Sequence, residues 1–401
     1  FIPPPLLNFA ASLNSENDRT MLTPHTAFSD SKPHYELLDG LRGVAALLVV
    51  WYHLFEAFAT SPVDQRFNHG YLAVDFFFLL SGFVIGYAYD ERWGRGLRMR
   101  DFIKRRLIRL HPMVVLGALL GAAAFFVQGS VRWNGEPVST GMVLAALLCG
   151  LLLIPAWPGA GHEVRGNGEM YPLNGPGWSL FFEYLGNLLY MLLLRRLPTR
   201  WLTLLVALTG AALAAFAIGD LSGYGHLGVG WTLAGSNFPG GMLRLLFAFP
   251  AGLLLARRFR PVRIRGAFWL CSLSLAVLLA MPYVGSEQNH LFNGLYDTLS
   301  TLLLFPLLLW LGASGHATDA ATARICGFLG DISYPLYMVH YPSMYLFYAW
   351  VWNHGYTFSE VWPVAAALFA GNILLAWFVL KIYDEPLRRL LTARFLRPRR
   401  Q

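Results

Sequence analysis

The chain has 401 residues, 56% hydrophobic and only 13% charged, against about 25% charged in a soluble domain. Its net charge is +8, but the charge lies in short runs beside apolar blocks, which excludes one continuous basic surface for nucleic acid. Cys149, Cys271 and Cys326 have no disulfide or metal-ligand spacing, so they are expected to be buried thiols and no metal site is expected.

Residues 1–34 contain Pro, Ser and Asn and lack a basic start followed by a long apolar core. They read as a disordered N-terminal extension rather than a signal peptide. Met21 is an alternative start, with 1–20 as an upstream extension.

From residue 35 onward the pattern is membrane-spanning. Apolar blocks of about 17–21 residues lie at 41–59, 71–89, 113–129, 141–157, 178–194, 201–218, 240–256, 266–283, 294–312, 332–352 and 362–382. In lipid the backbone must satisfy itself, so an all-α polytopic bundle is expected. Eight Lys/Arg lie in 92–109, three in 195–200, five in 257–265 and six in 388–400. These runs mark cytoplasmic loops by the positive-inside rule, and headgroup anchoring accounts for most of their charge. With both termini inside, that assignment closes only if the chain crosses an odd number of times between 109 and 158. One of 113–129 and 141–157 is therefore expected to be re-entrant or interfacial, giving about ten spans. Loops 158–177, 218–239 and 284–293 then face outside. The expected organisation is an extension over 1–34, a membrane domain over 35–389 and a basic cytoplasmic tail over 390–401.

The first block, "LDGLRGVAALLVVWYHLF" (38–55), carries Arg42 near the inner edge and His53 beyond the middle. Eleven residues are three helical turns plus about 20°, so the two share a face about 16 Å apart. Snorkelling accounts for Arg42 alone and an interhelical hydrogen bond for His53 alone. Ionisable groups inside spans nevertheless default to functional candidates. A shared lining with an anion site at one end and a proton-moving imidazole at the other matches the shape of an acyl-coenzyme A.

Further motifs follow in order. They are "GYLAVDFFFLLSGFVIGY" (70–87) with Asp75 and Ser81–Gly82, "FIKRRLIRLHP" (102–112) with Arg106 and Arg109, "GWSLFFEYLGNLLY" (177–190) with Trp178, Ser179 and Glu183, "DISYPLYMVHYP" (331–342) with Tyr337 and His340, and "YDEPLRR" (383–389). Together with Arg42, ten residues, His53, this series resembles the acyltransferase-3 family of integral membrane acyltransferases, whose bacterial members O-acetylate surface polysaccharides. The segment after Trp178–Ser179–Leu180 departs from the pattern, because "FFEY" offers only Glu183 where many members have a polar residue and a doubled Glu.

The resemblance implies a bacterial inner membrane, acyl-CoA (acetyl-CoA first) as co-substrate, and a hydroxyl of a polysaccharide or lipid-linked glycan as acceptor. It implies His53 as the catalytic histidine, either a base toward the acceptor or a transient acyl carrier. Arg42 would hold cofactor phosphate or polarise the thioester. Arg106 and Arg109, at i and i+3 in the cytoplasmic loop, suit phosphate recognition, with topogenic charge as the plainer reading. Glu183, about 7–8 Å inside the outer end of its helix, would orient an acceptor or pair with a cation, and Arg244 enters from the same side. Glu56, one turn past His53, and Asp75 are candidate partners of that histidine. Tyr337 and His340 share a face, where His340 is either a second proton carrier or a structural hydrogen-bonding group. Asp39 and Arg42 are spaced to pair. The hydrolase-like extracytoplasmic domain fused in some relatives is not in these 401 residues, so completion of transfer is expected from the membrane domain or a separate extracytoplasmic partner. The competing reading is a transporter of a lipid-linked sugar, which suits polar residues in spans and broken helices.

Overall fold

The computed structural model describes residues 35–156 and 163–396. The extension expected over 1–34, residues 157–162 of the loop 158–177, and the last five residues of the basic tail lie outside the described residues. Among the described residues the chain forms eleven helices and only isolated β-bridges. They are α1 (Glu36–Glu56), α2 (Ala73–Gly94), α3 (Met99–Val127), α4 (Thr140–Leu152), α5 (Gly177–Leu192), α6 (Thr199–Ile218), α7 (Asn237–Arg258), α8 (Ala267–Ala280), α9 (Leu291–Ser314), α10 (Ala320–His354) and α11 (Phe358–Phe395). Each expected apolar block falls on one helix.

Local signals set several ends. Ser139 caps α4 by accepting the Met142 N–H, and Asp319 caps α10 by accepting that of Thr322. Thr357 and Glu360 form a capping box at the start of α11. Single π turns interrupt α9 at Ser300–Leu304 and α11 at Leu380–Asp384, irregularities that concentrate at functional sites.

Eight described helices are long and apolar enough to cross a membrane. α4 and α8, with 13 and 14 residues, rise only about 20 Å. α10 has 35 residues, but its polar motif lowers its apolar content. The stretch around the Arg106/Arg109 pair is not a loop. α3 runs unbroken from Met99 to Val127 and carries both arginines within its first eleven residues. Pro112 lies inside it without ending it, and Tyr383 donates a hydrogen bond to the Pro112 carbonyl and Tyr334 to that of Leu110.

Two parallel pairs organise the bundle. α1 lies along α10, with Arg42 beside Gly330 and Ser333 and His53 beside His340. α2 lies along α7, where Asp75 meets Arg244 and Asp90 meets Arg257. The α2–α7 approach needs glycine: a Cβ on Gly82 would sit 2.0 Å from the Phe249 carbonyl oxygen, and one on Gly252 1.9 Å from that of Leu79. α4 makes no net passage along the bundle. Gly150 near its end touches Ala118 midway along α3, and the chain returns so that Leu173 and Asn174 pack against Gly121 and Gly117 of α3. The segment expected at 141–157 is therefore the one that turns back.

Candidate active site

Four loops gather at the end of the bundle where α1 finishes: 57–67, 163–176, 219–236 and 281–290. Met170 N–H donates to the Trp231 carbonyl at 2.9 Å, and Tyr283 Oη donates to that of Gly225 at 2.9 Å. Asp64 accepts the N–H groups of Thr60 and Ser61, which shapes the first loop. Beneath the loops lies a cavity of about 400 Å³. Its lining includes His53 and Glu56 from α1, Trp178 from α5, Arg244 from α7 and Tyr337 from α10, with Glu169 and His226 from the loops.

His53 Nδ1 lies 2.7 Å from Glu56 Oε2. A carboxylate only accepts, so Nδ1 carries the hydrogen and Nε2 is left as the acceptor of the ring. Tyr348 Oη reaches the same Glu56 oxygen at 3.0 Å and the His53 carbonyl at 2.8 Å, which holds the pair in place. The His53 ring stacks on His340 with centroids 5.6 Å apart and meets Tyr341 edge-on at 4.7 Å. His340 is fully buried; its Nδ1 bonds to the Leu336 carbonyl, and its Nε2 has no partner among the described residues. Tyr337 Oη and Ser179 Oγ are 2.6 Å apart, which joins α10 to α5 below Trp178.

Asp75 is not a partner of His53. It accepts two-pronged hydrogen bonds from Arg244, the closest at 2.7 Å, with both side chains buried. Arg244 also donates to the carbonyls of Val229 and Tyr71, and its guanidinium lies 5.4 Å from the Trp178 ring. Behind it, Asp297 accepts from Tyr71 Oη at 2.9 Å and from Leu227 N–H at 2.8 Å. His69 completes this buried layer through Asn293.

Glu183 does not pair with Arg244. Its Oε1 takes Arg106 Nη2 at 2.7 Å and the Ser81 hydroxyl at 3.1 Å. The basic motif is thus drawn into the helix bundle, since a carboxylate on α5 compensates Arg106 there. Arg42 pairs with Asp39 at 2.7 Å and donates to Ser333 Oγ at 2.9 Å. Arg42 and His53 both face α10, as their eleven-residue spacing requires. Arg109 has no hydrogen-bond partner among the described residues, and Arg42, Arg106 and Arg388 lie close enough for their charges to act on it. In this cluster the Nε atoms of Arg106 and Arg388 are buried without partners, although Arg388 Nη2 pairs with Asp384 at 2.7 Å. Unspent guanidinium donors in such a cluster match the acceptors of a phosphate.

Sequence reasoning missed Glu169, His226 and Asp297. Asp297 has a signal, an acid at the start of an apolar block. The two loop residues have none, because only folding brings them under the same roof. Asn167 Nδ2 donates to Glu169 Oε1 at 2.7 Å, and the Tyr345 hydroxyl donates to its other oxygen. Burial pushes the Glu169 carboxyl above its usual range. His226 Nδ1 accepts the Gly228 N–H at 2.8 Å. Burial, followed by the charges of its neighbours, lowers this imidazole to about 4, so it is neutral at physiological pH.

A family model described as an acyltransferase domain matches residues 35–381. Acyltransferase MdmB of Streptomyces mycarofaciens is 26% identical over 381 residues, covering 89% of this chain and 92% of the relative. Exopolysaccharide production protein ExoZ of Rhizobium meliloti is 25% identical over 288 residues, 70% of this chain and 79% of the relative. Protein 2 in the picA locus of Rhizobium radiobacter is 39% identical over 171 residues, 40% of this chain and 84% of the relative. No solved structure matches the chain.

Proposed function

The chain belongs to the acyltransferase domain family, as a multi-pass membrane enzyme that transfers acyl groups, and from this we propose that it moves an acyl group, acetyl first, from acyl-CoA to a sugar hydroxyl. The acceptor would belong to a cell-envelope or exported glycan, and the membrane would be the bacterial inner membrane. The observation that carries the reading is the His53–Glu56 pair at 2.7 Å on the wall of a loop-roofed cavity, on the same helix face as Arg42. The relative named for exopolysaccharide production supports it.

In this mechanism the acceptor hydroxyl lies against His53 Nε2. Its oxygen attacks the thioester carbonyl carbon while Nε2 takes the hydroxyl proton. Glu56 stabilises the imidazolium that forms. The C–S bond breaks, the imidazolium proton passes to the departing sulfur, and the products are an ester and the CoA thiol. The co-substrate's phosphates would meet the cluster around Arg106, Arg109 and Arg388, in which the Nε atoms of Arg106 and Arg388 are buried without partners while Arg388 also pairs with Asp384. Arg42 stands between that cluster and the cavity. The cavity reaches down α1 to Val49, seven residues or about 10 Å short of Arg42, a distance that a pantetheine arm spans.

The test is acetyl-CoA turnover by purified protein, with acceptor present and absent, for wild type, His53→Ala and Arg42→Ala. Loss of turnover with His53 and of acetyl-CoA binding with Arg42 is the expected result. Full activity of the folded His53→Ala protein sinks the assignment. Failure of wild type to bind or turn over any acyl-CoA, together with movement of a lipid-linked sugar, would favour transport.

A further inference from the structure

The charge of the cavity points to which acceptors it admits. Among the described lining residues the groups able to carry charge near neutral pH are His53, Glu56, Glu169, His226 and Arg244. Arg244, the one permanent cation, is neutralised by Asp75 and also donates to two carbonyls. His226 cannot take a proton on Nδ1 without losing the Gly228 N–H. Glu56 serves His53. Glu169 remains, on a lining loop beside α10, with its two oxygens held by Asn167 and Tyr345. Two cations lie near but off the lining. Arg165 is buried behind Tyr345, its guanidinium 3.7 Å from that ring and 4.7 Å from Trp133, and Arg66 is on the exposed side of its loop.

An acceptor bearing a carboxylate or phosphate would therefore bring its charge to two carboxyl groups, with His53 held by one of them and Arg244 already neutralised by Asp75. A buried like-charge contact of this kind is unfavourable because water is excluded. An amino group would instead find Glu169. Trp178, Trp231 and Tyr71 offer flat faces to a pyranose ring. Resting on the reading of the cavity as the acceptor site, we propose that it selects a neutral or amino-bearing sugar and rejects an acidic one, with Glu169 as the specificity-determining residue.

The experiment uses the purified full chain with acetyl-CoA and three probes that differ at one ring position or one exocyclic carbon: methyl glucoside, methyl glucosaminide and methyl glucuronide. Acetyl transfer is read by mass and binding by tryptophan fluorescence. The glucuronide is expected to bind and react at least about tenfold less well than the glucoside, a difference of about 1.4 kcal/mol, with the glucosaminide equal to the glucoside or better. Glu169→Gln keeps an oxygen for the Tyr345 hydroxyl and should shrink the gap at least about threefold, or roughly 0.65 kcal/mol. A glucuronide that matches the glucoside overturns the selection, and an unchanged gap in Glu169→Gln overturns the role of that residue. If no probe is acetylated and no CoA is released, the functional reading fails, while the binding ratio still decides the charge selection. A variant that does not fold leaves the wild-type ratio as the deciding measurement.

Discussion

Arg106 Nη2 lies 2.7 Å from Glu183 Oε1, and Ser81 Oγ completes the contact, so three helices share one charge pair. The pair ties the basic motif of α3 to the helix that carries Trp178 into the cavity. It links the proposed phosphate end of the site to the acceptor end.

Neutralising either partner strands the other charge in a poorly hydrated place. Arg106→Gln and Glu183→Gln are each expected to lower the melting temperature in detergent, with a cost toward or below the low end of the ~3–5 kcal/mol seen for fully buried pairs, because both side chains keep some exposure. The double variant should recover much of that loss. If Arg106 also serves the acyl-CoA, the KM for acyl-CoA stays raised in the double variant. Recovery of KM along with stability would assign Arg106 a structural part alone.

Glu56→Gln removes the carboxylate that fixes the His53 tautomer. We expect kcat to fall about 10- to 100-fold with little change in KM for acetyl-CoA, a partial loss of the roughly 100- to 10,000-fold that general acid–base assistance contributes. Tyr348→Phe, which removes the donor to Glu56 and to the His53 carbonyl but leaves the carboxylate, should cost less. Steady-state kinetics on the two variants check the order.

Asp75 and Arg244 are both almost wholly inaccessible. Arg244→Met leaves a buried carboxylate, and Asp75→Asn leaves a buried guanidinium. Each should destabilise by about 3–5 kcal/mol. Thermal unfolding followed by size-exclusion chromatography reads this directly, and a melting temperature equal to wild type would contradict the buried pair.

The depressed His226 makes its loop pH-sensitive. An unfolded histidine binds its proton near 6.5 and this one near 4. Stability contributed by the neutral ring is therefore complete above about 6.5, falls as pH drops through the window between those values, and levels off near 4. Trp231 fluorescence should report loosening of the outer loops in that window, and His226→Gln should flatten the response.

The Asp75 and Glu183 partners show where the limits of sequence reading lie. Both residues stand out as acids inside apolar blocks, so their importance is visible from residue type. Their partners are not, because α2 lies along α7 and α3 leans on α5, contacts 169 and 77 residues apart in sequence. Pairing Glu183 with Arg244, one alternative open in the sequence, rests on depth alone. Depth along a helix follows from counting residues, but rotation and neighbour choice follow from packing.

By itself the sequence determined the apolar helices and the common face of Arg42 and His53. Each of these follows from local physics: hydropathy over a window, charge beside it and the 3.6-residue turn. Only the tertiary structure decided that α4 is the segment that turns back, that the arginine motif is helical and buried against Glu183, and that Glu169 and His226 wall the cavity with His53. Those outcomes depend on glycine-sized gaps between particular helices, such as Gly82 and Gly252, and on loops that meet only after the helices have packed.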